Sequence, residues 1–208
     1  MNVDLQSRWT ADWRDLAVQP PAALLQALLD CYGEPQRAYH TEQHLVECFG
    51  WFDRARTLCW RPAEVELALW FHDAVYDPER TDNEQRSAAW AGRELAAAGC
   101  GEASAKRVRD LVLATRHGEI PDEPDARVLV DIDLAILAAD TGRFAQYEEQ
   151  VRREYAWLED AAFARGRCRV LRSFLERPSV YLTGWFRERL EATARINLNR
   201  AIARWRGA

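Results

Sequence analysis

Apolar residues recur along most of this chain at about every 3.6 positions, which is the spacing of one helical face. The valine-rich run 128–132 lies inside a longer stretch of this kind. No segment shows the short regular alternation that is typical of a sheet. The sequence therefore predicts an all-α fold of about eight to ten helices, with helical stretches over residues 20–34, 41–58, 61–77, 82–99, 102–117, 125–139, 142–158, 166–176 and 185–205.

Turn-forming residues mark several of the predicted helix boundaries. Prolines open the stretch 20–34, where they suit a first helical turn, and Gly33 closes it. Asp82 or Asn83 is expected to cap the stretch 82–99, which ends at a glycine. These signals support the helical interpretation, although they leave each boundary uncertain by a few residues.

The chain is long enough for one substantial domain, and we expect a single domain over residues 1–208. The breaks at 117–125 and 176–184 predict loops between helices. Neither an internal repeat nor a long Gly/Ser linker suggests a second domain. No apolar run approaches 18 residues, so no membrane span is expected, and the N-terminus lacks the pattern of a secretory signal. A cytoplasmic protein is expected.

Five cysteines are scattered along the chain without a C-x-x-C pair. This pattern predicts neither a disulfide framework nor a cysteine zinc site. We expect free, mostly buried thiols. A metal in this protein would then have to be held by histidine and carboxylate.

Charge is distributed unevenly along the chain. Residues 1–149 carry 15 basic and 27 acidic side chains, whereas residues 150–208 carry 13 basic and 6 acidic ones. Such a basic segment can contact nucleic acid. However, its arginines are spread at helical spacing among glutamates, without a dense tract. A solvated helix face is therefore favoured over a nucleic-acid site.

Three of the four histidines lie in two short segments. His40 and His44 are four positions apart in "RAYHTEQHLVE", so on a helix they would share one face. His72 and Asp73 follow after 27 intervening residues in "WFHDAVYD". Adjacent side chains can meet one ion only near a helix end or where the helix is locally loosened, and the loop-like "YDPERTDNE" predicts such an end after this pair.

A further carboxylate comes from "VLVDIDLAILAAD", which places Asp131 and Asp133 within an apolar helix. An aspartate there is costly unless it is paired or binds a metal. Each feature alone has a structural explanation, such as a solvated histidine or an ion pair with an arginine of the basic segment. Together they favour a metal site. Nitrogen and oxygen ligands together suit Mn, Fe, Co, Ni or Zn. Magnesium prefers oxygen ligands alone, but it stays among the candidate ions.

At these residues the sequence resembles the HD-domain superfamily of metal-dependent phosphohydrolases. "YHTEQHLVE" is similar to the Y-H-N-x-x-H segment of cyclic nucleotide phosphodiesterases, which belong to the same broad group of folds. More closely, several segments together resemble the bacterial family of predicted metal-dependent HD superfamily phosphohydrolases, over about residues 5–205: "YHTEQHL", "LALWFHDAVYD", "DNEQRSA", "ATRH", "DIDLAIL", "REY", "GRCRVLRSFLERPSVY" and "ARINLNR".

The resemblance implies a ligand set for the metal. These ligands are His44, His72, Asp73 and one aspartate of "DID", for which we favour Asp133. Asp131 would then lie outside the ligand set. It would hydrogen-bond either a ligand histidine, which fixes the tautomer of that histidine, or a bound water.

The resemblance also suggests which residues handle protons and substrate. His40 matches a general acid one helical turn, about 6 Å, before a ligand, and its alternative is a histidine that only orients the surroundings of His44. Glu84 is a second proton-handling residue or, equally, a helix-capping one. His117 lines the pocket or binds a second ion. Arg37 and Arg116 are predicted phosphate contacts.

The implied activity is hydrolysis of a nucleotide or other small phosphate ester by a metal-activated water. An HD fold retained as a non-catalytic ligand-binding or interaction module is the alternative, and an intact ligand set disfavours it. A di-iron oxygenase on the same fold needs two further histidines before the last aspartate, and only His117 lies there. The expected partner is a small phosphorylated substrate. No membrane is expected as a partner, nucleic acid is not favoured, and the sequence is compatible with a homo-oligomer.

Overall fold

The computed structural model describes residues 4–207. These residues form ten α-helices and two short 3₁₀ segments, and no strand is present among them, so the predicted all-α fold is confirmed. The helices are α1 (Leu5–Asp15), α2 (Leu24–Tyr32), α3 (Glu42–Ala55), α4 (Pro62–Phe71), α5 (Asn83–Ala97), α6 (Glu102–Ala114), α7 (Pro124–Asp133), α8 (Thr141–Glu154), α9 (Asp160–Leu175) and α10 (Gly184–Arg206), and the 3₁₀ segments are Arg56–Leu58 and Leu134–Ala138.

The chain divides into two compact units after Ile132. The first contains α1 to α6 and nearly all of α7. The second begins at Asp133, the last residue of α7, and contains α8 to α10. The expectation of one domain over the whole chain stays a prediction.

Helix α4 is the core of the first unit. Every residue from Ala63 to Phe71 is buried, and α1, α3, α5 and α6 all pack against this helix. A helix that is enclosed on every side must be apolar nearly all round, as this stretch is. The aromatic side chains of Trp9 and Phe49 contact Trp70, with ring centroids 5.2 and 4.7 Å away. The C-terminal end of this central helix carries the His72–Asp73 pair.

Two buried glutamates of α4 are neutralised by arginines from its neighbours. Glu64 accepts two hydrogen bonds from Arg107, at 2.6 and 2.5 Å. Glu66 pairs with Arg56 at 2.9 Å and also with Arg8. Buried carboxylates are tolerable only with such partners. These ion pairs therefore fix how the surrounding helices are placed around α4.

Asp12 of α1 adds a third buried carboxyl beside this helix. It accepts a hydrogen bond from Trp70 Nε1 at 3.0 Å. Burial, followed by the nearby Glu66 carboxylate, raises the pKa of Asp12 to about 9. Its ordinary pKa is 3.8. The folded protein consequently keeps this proton over a pH range in which the unfolded chain has lost it.

This difference predicts a pH-dependent stability. Between about pH 4 and 9 the folded state binds one proton more than the unfolded state at Asp12, so the free energy of unfolding falls as the pH rises. Asp12→Asn, which still accepts from Trp70 and cannot ionise, should reduce that fall by at least about 1 kcal/mol between pH 5 and 8. Denaturant unfolding at both pH values measures it. Equal pH dependence in the variant and the wild type would contradict the assignment.

The second unit is held by polar contacts between its loops and helices. Asn197 of α10 donates to the carbonyls of Leu137 and Ala139, at 3.0 and 2.9 Å. Glu191 accepts from the backbone of Val180, at 3.0 Å, and of Tyr181. Asn197 belongs to the segment "ARINLNR", and Val180 and Tyr181 belong to "RPSVY", so both stretches have a structural role in this fold.

A buried ion pair joins α8 to α9 in the same unit. Arg167 pairs with Glu148, which also accepts from Trp205 Nε1 at 2.6 Å. Burial would lower the pKa of Arg167, but Tyr147 and Glu148 outweigh it and raise that pKa. The guanidinium is therefore a permanent charge, matched by its carboxylate.

Several predicted boundaries differ from the structure. Helix α1 was not among the predicted stretches, and the stretch 125–139 is an α-helix only up to Asp133. The loops predicted over 117–125 and 176–184 lie between helices, although α7 already begins at Pro124. All five cysteines are free, as predicted, but only Cys48 and Cys168 are buried. No helix in the part of the chain that the structure describes is long and apolar enough to cross a membrane.

Candidate metal centre

Helix α3 brings His44 into the core of the first unit. The helix begins at Glu42, and Thr41 before it has an extended backbone (φ −114°, ψ 179°). His44 lies in the first turn and is buried. His40 therefore lies in the turn before α3, so the prediction that both histidines share a helix is wrong. The extended Thr41 separates them, because a helix cannot continue through that conformation.

The end of α4 carries the second half of the candidate site. Phe71 is the last helical residue, His72 caps the helix and Asp73 follows it. The predicted helix end near this pair is confirmed, although the helix ends earlier than the predicted stretch 61–77. Outside the helix the chain turns, so these neighbouring side chains can point to the same place.

His44, His72 and Asp73 converge on one point. The two Nε2 atoms of the histidines lie 3.1 Å apart. Asp73 Oδ2 lies 3.0 Å from His72 Nε2 and 3.5 Å from His44 Nε2. Both imidazoles are buried, with at most 2% of their surface exposed. Three of the four predicted metal ligands thus face each other at the distances expected around a small cation.

A second group of possible ligands shares both histidines but contains Cys48 and Asp133 in place of Asp73. Ligand atoms of His44, Cys48, His72 and Asp133 all lie within 4.8 Å of one another. Asp133 is the predicted fourth ligand, and it is Asp133 rather than the fully buried Asp131 that belongs to this group. The side chains of this group could hold a metal ion.

Cys48 was missed in the sequence, because a metal site was expected to use histidine and carboxylate alone. Its Sγ lies 3.7 Å from His44 Nε2. The signal was the four-residue spacing from His44 in "HLVEC", which places both side chains on one face of α3. A thiol beside two imidazoles shifts the donor set towards softer ions such as Zn²⁺ and Co²⁺, and away from Mg²⁺.

Each histidine of the centre is oriented through its other ring nitrogen. His72 Nδ1 lies 2.7 Å from the carbonyl oxygen of Leu69, and His44 Nδ1 lies 2.9 Å from the Tyr39 hydroxyl. A carbonyl can only accept, so His72 donates from Nδ1 and, when neutral, presents a lone pair at Nε2. That lone pair lies 3.0 Å from the Asp73 carboxylate, so a proton or a cation has to lie between them. Such outer partners are typical of metal-binding histidines.

The electrostatic surroundings keep Asp73 ionised. Burial favours the neutral carboxyl, but the imidazoles of His72, His40 and His44 outweigh it and hold the pKa of Asp73 well below its ordinary value. An ionised carboxylate among imidazole nitrogens is a ready ligand for a divalent ion.

His40 lies beside the ligand cluster without belonging to the group of potential ligands. Its ring stacks on Tyr76, with centroids 4.1 Å apart, and its centroid lies 6.1 Å from that of His44. The side chain is half-buried. It therefore borders both the cluster and solvent, which is where a proton donor for a bound substrate would have to lie.

Arg37 connects the two segments of the centre from inside the protein. Its side chain has no exposed surface and donates from Nη1 to the carbonyls of His40 and Asp73, at 3.1 and 2.6 Å. It also donates to Ala74 O at 3.0 Å and to Glu34 at 2.9 Å. These contacts hold the turn that carries His40 against the turn that carries Asp73. The predicted phosphate contact of Arg37 stays a prediction.

The two roles of Arg37 lead to different outcomes for Arg37→Lys. Because an ammonium cannot reach four acceptors in two segments, we expect the free energy of unfolding to fall by about 2 kcal/mol or more. A phosphate contact alone would weaken phosphate binding and leave unfolding unchanged. Arg116→Lys, at an exposed arginine, serves as the control. Urea unfolding of the three proteins distinguishes the two roles.

The segment "DNEQRSA" holds the loop that follows Asp73. Ser87 Oγ accepts from Val75 N at 3.0 Å, and the Asn83 side chain bonds Asp77 N and O, at 3.2 and 2.8 Å. Glu84 lies in the first turn of α5 after the N-cap residue Asp82, and it is half-buried. This position suits the helix dipole but is one residue short of a capping box. Its proton-handling role stays a prediction.

The other two predicted substrate contacts lie just after α6. Arg116 is exposed, and its Nη1 lies 3.1 Å from the side-chain oxygen of Gln85 when that amide is correctly oriented. His117 is half-buried and has a positive φ of 56°. Among the described residues, His117 is not part of the group of potential ligands. Both substrate-binding roles stay predictions.

Comparison with known proteins gave no match to any family model, curated protein or solved structure.

Proposed function

We propose that this protein is a metal-dependent phosphohydrolase of the HD-domain superfamily, acting on a nucleotide or another small phosphate ester. The observation that carries the proposal is the convergence of His44 Nε2, His72 Nε2 and Asp73 Oδ2 within 3.0–3.5 Å. The motif resemblance of the sequence supports the same assignment.

In this proposal the side chains of His44, His72, Asp73 and Asp133 hold one divalent transition ion. Cys48 lies close enough to complete or tune this set. The bound ion would supply a Lewis acid for the phosphoryl oxygen and would lower the pKa of water. The buried Tyr39 and the carbonyl of Leu69 keep both imidazoles oriented.

The remaining steps belong to residues around this set. His40 would give a proton to the leaving oxygen of the substrate, and it lies on the half-buried side of the centre where that oxygen could approach. Its stacking on Tyr76 would hold the ring in place during the transfer. Glu84 is the second proton-handling candidate.

The test combines metal analysis with an activity screen. Purified protein should contain or take up about one transition ion per chain, given one ligand set. It should release phosphate from members of a panel of nucleotides and sugar phosphates when Mn, Co, Ni, Zn or Mg is supplied. Bound metal without turnover on any panel member would favour the non-catalytic binding module. Absence of metal binding would contradict the proposal altogether.

A further inference from the structure

A groove lined by arginines lies between α9 and α10, wholly within the second unit. Its volume is about 590 Å³. Arg165, Arg169 and Arg172 line it from α9, and Arg206 lines it from α10. We propose that this groove binds a chain of linked phosphates, either as free polyphosphate or as the phosphate tail of a nucleotide. This site does not depend on the proposed metal centre.

The spacing on α9 is not explained by the stability of the helix. Arg165, Arg169 and Arg172 are separated by four and three positions, so their side chains share one face. Like charges at these spacings weaken a helix. The cost is tolerated where the charges meet a counter-charge, and an anionic ligand would supply one.

The described residues supply only part of that counter-charge. In the described part of the chain, none of the four groove arginines has a carboxylate oxygen within 4.0 Å. Some other arginines of the unit are paired with carboxylates, as Arg152 is with Asp160 at 2.7 Å and Arg195 with Glu191 at 2.6 Å. A single carboxylate, Glu176, lines the groove. The described residues that line the groove therefore carry three excess positive charges.

The shape of the groove favours several linked phosphates over one. From Arg165 to Arg172 the helix rises about 10 Å, at 1.5 Å per residue. Small side chains, Ala164 and Cys168, lie between the arginines and leave room for a ligand. Guanidinium groups bind phosphate oxygens through two parallel hydrogen bonds. A row of such groups matches a row of phosphates.

Single-stranded nucleic acid fits this groove less well. Its bases need several aromatic platforms along the strand. Trp205 is the one aromatic side chain among the residues that line this groove in the described chain, and its ring is fixed by Glu148 and by an edge contact with Phe163 at 5.0 Å. One platform suits one base at most, which agrees with a nucleotide.

The test is calorimetric titration of the full chain with tripolyphosphate and, in parallel, with ATP. Arg169→Gln together with Arg172→Gln should weaken tripolyphosphate binding about tenfold or more. Arg187→Gln together with Arg200→Gln, which removes the same charge from exposed positions of α10, should change it less than about twofold. Equal affinities for both ligands identify the phosphate chain as the recognised part, and tighter binding of ATP identifies a nucleotide.

Three kinds of outcome would overturn the proposal. The first is no binding of tripolyphosphate to the wild type at millimolar concentration. The second concerns the two double variants. An equal effect of both would indicate a general charge effect, and no effect of the groove variant would place the ligand elsewhere. The third is tighter binding of a short oligodeoxythymidylate than of tripolyphosphate. Circular dichroism of each variant ensures that only folded proteins are compared.

Discussion

His72→Ala is expected to reduce the bound transition metal from about one ion per chain to nearly none, since a site of this type depends on each of its few ligands. His72 Nε2 lies 3.1 Å from His44 Nε2 and 3.0 Å from Asp73 Oδ2. Its removal leaves His44 and Asp73 without the nitrogen between them. Metal content after dialysis, measured by inductively coupled plasma mass spectrometry, gives the result.

His117→Ala is the matched control, because it also removes a histidine side chain, but one that does not belong to the group of potential ligands. It should leave about one ion in place, as the ligand set is intact. Since His72 is buried, its loss can also damage the fold. His72→Asn, which retains a polar side chain, and thermal unfolding of the metal-free proteins separate these effects. A folded His72→Ala protein with full metal content would contradict the proposed metal centre.

His40→Ala is expected to retain the metal and to slow turnover by about a hundredfold or more, the usual scale for losing a general acid. The ring of His40 lies beside the cluster, 6.1 Å from that of His44, and it belongs to the turn before α3. The ligand atoms therefore stay in place when it is removed. Single-turnover rates on a substrate found in the screen, measured beside metal content, check this expectation.

His44→Ala is the companion variant, and it should lose both metal and activity. The pH–rate profile adds a readout that a merely structural His40 would not affect, since loss of a general acid should remove the decline in rate at high pH. If His40→Ala loses the ion while His44→Ala keeps it, the two roles must be exchanged. An unchanged turnover in His40→Ala would assign the proton transfer to another group, with Glu84 as the first residue to test.

The helical period of the sequence was sufficient to predict the fold class, because apolar faces at 3.6-residue spacing leave few alternatives. It missed α1, whose few apolar residues include Trp9 and Trp13, and whose buried face also contains the carboxyl of Asp12. The carboxyl of Asp12 packs against Trp70 and Glu66, but in the sequence this residue is indistinguishable from a surface aspartate. Only the tertiary structure explains why it is buried.

The candidate centre was predictable where its residues carry unusual chemistry. A histidine next to an aspartate at a helix end indicated the ligand pair without knowledge of the fold. Tyr39 and Cys48 could not be assigned in this way, because a tyrosine and a cysteine in apolar surroundings are usually packing residues. Their roles depend on where the fold places the Tyr39 ring, in the segment before α3, and the Cys48 sulfur, on α3. The buried Arg37 was likewise indistinguishable from the chain's many other arginines.

The enclosure of α4 has a consequence for how this protein can vary. The helix that ends at the candidate ligands His72 and Asp73 is also the one whose residues Ala63 to Phe71 are all buried. A substitution that shifts α4 along its axis would displace both ligands together. Mutational tolerance should therefore be lowest along this helix, and selecting a random library for metal retention would also select for an intact core. New substrate preferences would then arise from the loops and neighbouring helices, while α4 stays almost unchanged.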